Sequence, residues 1–445
     1  MKRLLTSLSL ILASLVAGAQ EPVQLSLQDC FRYALQHADT IKNVRLNYRL
    51  QQEQNDQIKA SALPHINGNI AYTHFINQQQ TLIPSEIFGG PPGTYQALPF
   101  TPKYASTTGI SGSQAIFDGQ LLVALKARKT ILELVRQSAS LTEEGLKYNI
   151  QRAYFSMVVA RRQFSVLAQS LGTARQMMHE AEATYNAGFI EKIDVSRATV
   201  QLNNLEADSI RTASLLESGE QLLKYQMGMP INEPIILTDT SLNEQLLQAS
   251  ELGNERLDYT ARTEYNLLQT SRRLNEAYIQ RYKLAALPTI GFNGNLGYNY
   301  SSNAFADLTR FRKNYLFSSY ISFNVNVPIF NGLLRQHQLQ EARINLEKTD
   351  NNIHFLKQSL DFADAQAKTA LRNAMTSLEK TRRTVELSNT VLDLAHKKFQ
   401  AGVGSSLEVN TAQTDLLLSQ NNYFQALLDV ISAQADVQRA LGLFK

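Results

Sequence analysis

The sequence contains a single cysteine, Cys30, so no internal disulfide can form. The residues beside it, Gln28 and Asp29, are not the small apolar residues of a lipoprotein signal, so we expect no lipid anchor there. Common catalytic motifs are absent as well, since no GxSxG, P-loop, HExxH or CxxC occurs. The seven histidines are scattered along the chain. These absences predict a protein that is not an enzyme and that needs no metal or cofactor.

Proline is missing from two long stretches. Of the eleven prolines, none lies between residues 103 and 229 or after Pro328. Because proline strongly breaks helices, both stretches favour helix, and apolar residues recur at helical spacing in 121–185 and again in 333–400. Each would give roughly 100 Å of helix. Helices this long must pack along one another, as in a coiled coil or a helical tube.

Long uncharged apolar runs are missing after the N-terminus. Lys2 and Arg3 precede the apolar run Leu8–Val16, and Ala17-Gly18-Ala19 suits signal peptidase, so we predict a signal peptide over residues 1–19. No later run of about eighteen uncharged apolar residues predicts a transmembrane helix, so any membrane span would consist of strands. The formal net charge of +4, two units of which belong to the signal, argues against a nucleic-acid binder.

What the chain does have is an internal duplication. Tyr185–Met229 aligns without gaps on Phe399–Leu443. Two shorter blocks also recur: ALPHI at Ala62–Ile66 as ALPTI at Ala286–Ile290, and IFDG at Ile116–Gly119 as IFNG at Ile329–Gly332. Each copy therefore runs helix, ALPxI, extended stretch, IFDG or IFNG, long helix, Ala-Gly turn, return helix. We expect the copies to comprise residues 20–229 and 254–445, joined by a short segment at 230–253 that is too small for a domain. A repeat of this length is a whole domain copied once.

Between the ALPxI and the IFDG or IFNG blocks, the apolar period changes to two. This predicts two strands per copy, near 64–76, 104–117, 288–300 and 317–330. In the second copy one face is apolar: Phe292, Leu296, Tyr298, Ile321, Phe323 and Val325. The other face is polar: Asn293, Asn295, Asn299, Ser322, Asn324 and Asn326. In a soluble sheet the apolar face would cover a core, but no other segment is apolar enough to cover it. We therefore predict that the apolar set faces lipid and the polar set faces a lumen.

Four strands cannot close a membrane barrel, and open edges are not tolerated in lipid, so the barrel must be shared between chains. Two copies would give eight strands around a filled lumen, whereas three give twelve around a water-filled bore. The polar inner face favours three. The expected fold class is an α+β membrane protein with four strands per chain in a shared trimeric barrel and very long α-helices.

The exported start, the duplicated order and the Ala-Gly turns followed by Ile193-Asp194-Val195 and Leu407-Glu408-Val409 resemble the TolC-like outer-membrane efflux proteins. The resemblance implies a homotrimer in the outer membrane, with an α-helical tunnel across the periplasm and an equatorial belt at 230–253. It also implies an exit duct for a drug pump or secretion system, with a periplasmic adaptor (membrane fusion) protein and an inner-membrane transporter as partners. A rival interpretation is an exported soluble coiled-coil structural or adhesion protein, which would be extracted without detergent.

The two Ala-Gly turns are the candidate functional sites. Gly188 and Gly402 each end a long helix where glycine easily takes the left-handed backbone, so each turn is predicted to be a hairpin tip. By the resemblance, the tips form the periplasmic entrance. The gate candidates are then Glu408, Thr411 and Asp194, and the adaptor-contact candidates are Gly188, Phe189, Ile190, Gly402, Val403, Gly404 and Ser405. Thr411 and Gly404 depart from the acidic and basic residues that the family pattern has at those positions.

Three local patterns carry further predictions. Ser405 and Glu408 have the spacing of a capping box, a role that does not exclude one at the gate. Met177-Met178-His179 could bind a soft metal, but neighbouring helical positions point in different directions, so we predict packing instead. The loop Asn77–Lys103 is rich in proline and glycine, which predicts an irregular extracellular loop.

Overall fold

The structure is a computed structural model that describes residues 22–239, 242–309 and 315–445. The predicted signal peptide lies outside the described residues. The helices are α1 (Leu27–His37), α2 (Asp39–Ala60), α3 (Gly119–Asn186), α4 (Lys192–Met227), α5 (Leu242–Leu252), α6 (Thr263–Leu284), α7 (Leu334–Gln400) and α8 (Ser406–Leu441). The strands are β1 (Val23–Leu25), β2 (His65–His74), β3 (Gln80–Pro84), β4 (Tyr95–Pro99), β5 (Tyr104–Phe117), β6 (Ile235–Leu237), β7 (Thr289–Ser302) and β8 (Tyr315–Asn326).

The two proline-free stretches form very long helices. α3 has 68 residues and α7 has 67, and each is followed by a return helix of 36 residues, α4 and α8 respectively. At 1.5 Å per residue, α3 and α7 each amount to roughly 100 Å of helix. The α+β fold class predicted from the sequence is confirmed.

The chain divides into two compact units. Among the described residues, the first comprises 22–48 together with Val135–Gln269 and Asn351–Lys445. The second comprises Arg49–Leu134 and Thr270–Asp350.

The main hydrophobic core of the first unit surrounds the middle of α3. Tyr154 is fully buried there, and its hydroxyl donates to the Leu25 carbonyl oxygen (3.2 Å) and accepts from the Asp239 amide (2.9 Å). These bonds attach Tyr154 to β1 and to the residues after β6, two three-residue strands that pair in parallel. The lone Cys30 is buried in the same core, and burial raises the pKa of its thiol to about 12. A thiol with such a pKa stays protonated and unreactive.

The second unit contains a four-stranded antiparallel sheet in the order β2-β5-β7-β8. Its central pair, β5 and β7, joins the first copy of the repeat to the second. β8 is shorter than predicted, because it ends at Asn326 rather than near residue 330. Asn326 pairs with Thr289, the first residue of β7, so the chain beyond Asn326 has no partner strand within the described chain.

The loop between β2 and β5 is more regular than predicted. Our expectation of an irregular segment at 77–103 is wrong, because β3 and β4 form an antiparallel hairpin within it. Pro84 and Pro99 occupy the ends of this ladder, where a missing N–H disturbs pairing least. The glycines are confined to the connection, in which Gly89 and Gly93 have φ values of 77° and 80°.

Candidate functional site

The sheet separates the predicted apolar and polar residues onto two faces. Residues directly opposite each other in a ladder share a face, and the β7–β8 ladder pairs Phe292 with Phe323 and Asn293 with Ser322. Counting by twos from these pairs places all six predicted lipid-facing residues on one face: Phe292, Leu296, Tyr298, Ile321, Phe323 and Val325. The six predicted lumen-facing residues lie on the other: Asn293, Asn295, Asn299, Ser322, Asn324 and Asn326.

The first copy continues both faces. Through the β5–β7 and β2–β5 ladders, Ile66, Ile70, Tyr72 and Ile110 share the apolar face, while Asn67, Asn69, Ser111 and Ser113 share the polar one. Most of these apolar side chains are exposed in the described chain: Ile70 is 81% exposed and Phe323 is 67% exposed, whereas Phe292 is half-buried. An apolar face of this size, backed by a polar one, suits a sheet with lipid on one side and water on the other.

Both helical turns adopt the same backbone motif. At the first tip, Gly188 has φ 83°, its amide donates to the Tyr185 carbonyl, and the Phe189 amide donates to the Thr184 carbonyl. At the second tip, Gly402 has φ 74°, its amide donates to Phe399, and the Val403 amide donates to Lys398. This pair of bonds is the Schellman motif, which requires a left-handed residue and therefore favours glycine. The predicted glycine-ended turns are present at both positions.

The residues that follow each glycine expose apolar side chains. Phe189 is 81% exposed at the first tip and Val403 is 78% exposed at the second. Ile193 and Leu407, each in the first turn of the return helix, are both 51% exposed. Each tip thus carries two exposed apolar side chains at equivalent positions. Ile190, the remaining apolar candidate, is half-buried.

The second tip has half of the predicted capping box. The Ser405 side chain accepts a hydrogen bond from the Glu408 amide at 3.2 Å, so Ser405 is the N-cap of α8. Both residues are described by the structure, and the reciprocal bond from the Ser405 amide to the Glu408 carboxylate is absent between them. The Glu408 side chain is exposed. The cap therefore depends on the backbone of Glu408, and its carboxylate is left to solvent.

Two of the three gate candidates make contacts within their own helices. Thr411 is exposed, and its hydroxyl donates to the Leu407 carbonyl in its own helix (2.8 Å). Asp194 is half-buried near the start of α4, with its carboxylate 3.6 Å from Arg197. Sequence reasoning missed Arg197, although the i,i+3 spacing of an acid and a base is a usable signal.

The paired methionines of α3 pack rather than face a common site. Met177 packs against a cluster of Ala395, Val409 and Ala412, whereas Met178 packs against a different cluster, formed by Ala174, Leu202 and Leu205. His179 is exposed, with its Nδ1 3.7 Å from Glu182. Among the residues that the structure describes, no group of three His, Cys, Asp or Glu side chains could hold a metal ion.

A cavity of about 270 Å³ lies beside Met177, between α3, α7 and α8. Its lining includes Asp393, His396 and Gln413. Gln413 is only 3% exposed, and its Oε1 has no hydrogen-bond partner. Sequence reasoning missed this buried amide because a glutamine in a helix is usually a surface residue.

None of the helices in the described ranges has the length and apolarity that crossing a membrane requires.

The sheet with one apolar and one polar face and the two helices of roughly 100 Å are features that the resemblance to outer-membrane efflux proteins implies. A family model described as outer membrane efflux protein matches residues 268–443. These comparisons confirm the resemblance to the TolC-like outer-membrane efflux proteins, and with it a location in the outer membrane and periplasm.

Two curated relatives show the extent of the similarity. The outer membrane efflux protein BepC of Brucella suis biovar 1 is 21% identical over 441 residues, which cover 98% of this chain and 90% of BepC. Protein CyaE of Bordetella pertussis is 23% identical over 312 residues, which cover 69% of this chain. That match spans 64% of CyaE, less than two thirds of its length.

Solved structures agree in fold. The outer membrane protein VceC of Vibrio cholerae has a TM-score of 0.71 at 17% identity, covering 94% of this chain and 96% of VceC. The MtrE outer membrane channel of Neisseria gonorrhoeae has a TM-score of 0.69 at 18% identity, covering 94% and 88%.

Proposed function

We propose that three copies of this chain form a passive channel across the outer membrane, which serves as the exit duct of a tripartite efflux or secretion system. The observation that carries this proposal is the β2-β5-β7-β8 sheet, with its exposed apolar face, its polar face and two edges that pair with no other strand among the described residues. Open edges are not tolerated in lipid, because each unpaired backbone group there costs several kcal/mol.

Strand directions allow the edges to be closed by further copies. Every neighbouring pair in the sheet is antiparallel, so β2 and β8 run in opposite directions. β8 of one copy can therefore pair antiparallel with β2 of the next. Three copies give twelve strands, enough for a water-filled bore lined by the polar face, whereas eight strands would be filled by side chains.

Exposed apolar residues at the two helical tips indicate where partner proteins bind. Exposed Phe189 and Ile193 at one tip, and Val403 and Leu407 at the other, offer apolar contacts on the periplasmic side. We assign these contacts to a periplasmic adaptor protein, which links the duct to an inner-membrane transporter. Segment 230–253 contributes to an equatorial belt, and Glu408 lies at the entrance.

The cargo is not assigned to one class. Three relatives of 22% identity bear names that specify toluene efflux, antibiotic efflux and pyoverdine export. A bore lined by asparagine and serine side chains offers hydrogen bonds without a shaped pocket, so it suits a conduit that selects little. Selection would then belong to the transporter.

Two measurements on the purified protein test the proposal. Light scattering in detergent should give the mass of three chains, and planar bilayers should show discrete conductance steps. The rival interpretation, a soluble exported coiled-coil protein, predicts extraction without detergent and silent bilayers. A monomer in detergent that does not conduct would contradict the channel.

A further inference from the structure

The two edges of the sheet are less covered than its centre. All ten residues of β2 are exposed, whereas most residues at the start of β7, its counterpart in the second copy, are half-buried. The same contrast holds for the strand ends. Ile329 and Phe330 are 94% and 80% exposed, whereas Ile116 is 54% exposed and Phe117 is half-buried.

The internal duplication explains this contrast. In the centre of the sheet, the IFDG end of β5 lies against the ALPTI start of β7, and Phe117 pairs with Ile290. The corresponding blocks on the two edges are IFNG, after β8, and ALPHI, at the start of β2. On the outer side of the sheet these blocks face no strand of the described chain, since His65 and Ile66 pair with β5 alone and the ladder of β8 ends at Asn326. One chain therefore carries a second pair of matching edges that it cannot join to each other.

We propose that β8 of one copy pairs with β2 of the next in the register that β5 and β7 use inside the chain, placing Asn326 opposite Asn69 and Phe330 opposite Ile66. This inference rests on the proposed multichain barrel and specifies how it closes.

The register follows residue by residue from the repeated blocks. Phe117 corresponds to Phe330, so Ser113 and Ser111 correspond to Asn326 and Asn324. Ile290 corresponds to Ile66, so Asn293 and Asn295 correspond to Asn69 and Ala71. The central ladder pairs Ser113 with Asn293 and Ser111 with Asn295. Between copies, Asn326 therefore pairs with Asn69, and Asn324 with Ala71.

Two features of the edges fit this register. It pairs Val325 with Ile70 and Phe323 with Tyr72, so the apolar faces of neighbouring copies are continuous, as they are inside the chain. Pro328 corresponds to Ala115, which lies beside the bulge in β5, and bulges and edges are where a strand tolerates proline. The correspondence stops after Phe330, because Gly332 and Leu333 have positive φ values and Gly119 does not.

Disulfide formation can measure the register. A Cβ on Gly109 would lie 3.0 Å from the Cα of Gly297, the close approach of a non-hydrogen-bonded pair. Pairs two and four residues along, Ser111 with Asn295 and Ser113 with Asn293, are of the same type. Their counterparts between copies should therefore bring two Cβ atoms within disulfide range. The native Cys30 is buried, so it contributes no background.

Four substitutions provide both the test and its controls. The matched variants are Asn326→Cys with Asn69→Cys, and Asn324→Cys with Ala71→Cys. The mismatched variants recombine the same changes, Asn326→Cys with Ala71→Cys and Asn324→Cys with Asn69→Cys, which lie on a diagonal with Cα atoms about 7–8 Å apart. All four positions are on the polar face, where an added oxidant can reach them. Because both groups contain the same four cysteines, a folding defect cannot favour one group.

We expect oxidised outer membranes from both matched variants to show cross-linked chains on non-reducing gels. Membranes from both mismatched variants should show much less of this cross-linked product than the matched ones. Efficient cross-linking of a mismatched variant instead would overturn the register while leaving a multichain barrel in place. Absence of cross-links in all four, in protein that still conducts as a trimer, would overturn β8–β2 closure without contradicting the channel. Loss of trimer and conductance in the unmodified chain would contradict the proposed function itself.

Discussion

Gly109 and Gly297 lie directly opposite each other where the two copies of the repeat meet, and neither position has room for a side chain. A Cβ on Gly109 would lie 2.8 Å from the Leu296 carbonyl oxygen, and one on Gly297 would lie 2.7 Å from the Thr108 carbonyl oxygen. Contacts this short with backbone can be relieved only by moving a strand. The two glycines therefore set how closely β5 and β7 approach.

This contact predicts that Gly297→Ala impairs the sheet. We expect a destabilisation of about 1–3 kcal/mol, typical of overpacking, seen as less heat-resistant oligomer in outer-membrane fractions. Gly294→Ala is the matched control, because Gly294 also faces a glycine, Gly112, yet its added Cβ would meet nothing closer than the Tyr320 carbonyl oxygen at 3.9 Å. Equal behaviour of the two variants would show that the close approach does not matter.

The two faces of β8 predict opposite responses to arginine. Phe323→Arg should reduce assembly, because an arginine on the lipid face costs about 2–4 kcal/mol at the bilayer midplane. The change also removes the edge-to-face contact of Phe323 with Phe292, whose ring centroids are 5.4 Å apart. The neighbouring Asn324→Arg should assemble and change the single-channel conductance. If both variants assemble equally well, the assignment of the faces is wrong.

The buried hydroxyl of Tyr154 predicts a stability effect far from the sheet. Tyr154→Phe removes its bonds with the Leu25 carbonyl and the Asp239 amide, although the Leu25 carbonyl still accepts from the Thr238 amide at 3.0 Å. We expect a loss of about 0.5–1.5 kcal/mol for each hydrogen bond removed, measured as a lower unfolding temperature in detergent. Tyr185→Phe serves as the control, since that side chain is 41% exposed. An unchanged unfolding temperature for Tyr154→Phe would contradict this role of the hydroxyl.

The same residue predicts a response to alkaline pH. Burial raises the pKa of Tyr154 to about 12 in the folded protein, above the ordinary value of about 10. A raised pKa means that the neutral form favours folding, so its contribution is complete below pH 10 and is lost as the pH rises toward 12. We expect wild-type stability to fall over this interval and Tyr154→Phe to lack that part of the fall. If the stability of the two proteins falls in parallel between pH 10 and pH 12, the titration of Tyr154 does not cause the fall.

Sequence patterns predicted the elements that one chain determines by itself. The faces of β7 and β8 are predicted by the alternation of apolar and polar residues, and the tips by glycines at Gly188 and Gly402 that need a positive φ. The end of β8 was misplaced because residues 327–330 have strand character but no partner in the described chain. Strands β1 and β6 have three residues each, too few to show a period, and only their pairing makes them visible.

Capping was predicted in part, and the difference between two helices is informative. Ser26 and Asp29, at the start of α1, form both bonds of a capping box, with the Ser26 amide 3.2 Å from the Asp29 carboxylate. Ser405 and Glu408 share the spacing but form only the bond to the Glu408 amide. The longer glutamate side chain remains in solvent. The sequence pattern is the same whether the acidic side chain bonds to the N-cap amide or stays in solvent, so it could not predict this difference. The Glu408 amide thus takes part in the cap, whereas its exposed carboxylate takes no part in it.

Different substitutions can remove the Ser405 cap and the Glu408 charge. Three copies of the exposed Glu408 carboxylate around a threefold axis would form an acidic ring at the entrance, which attracts cations and is screened by salt with a Debye length of about 10 Å at 0.1 M. Glu408→Gln keeps the backbone cap, so we expect unchanged thermal stability together with lower cation selectivity and weaker block by divalent cations. Ser405→Ala should do the reverse, losing about 1 kcal/mol of helix stability while keeping the selectivity. Single-channel recordings and thermal melts of both variants distinguish the roles, and unchanged selectivity in a folded Gln variant would remove Glu408 from the entrance.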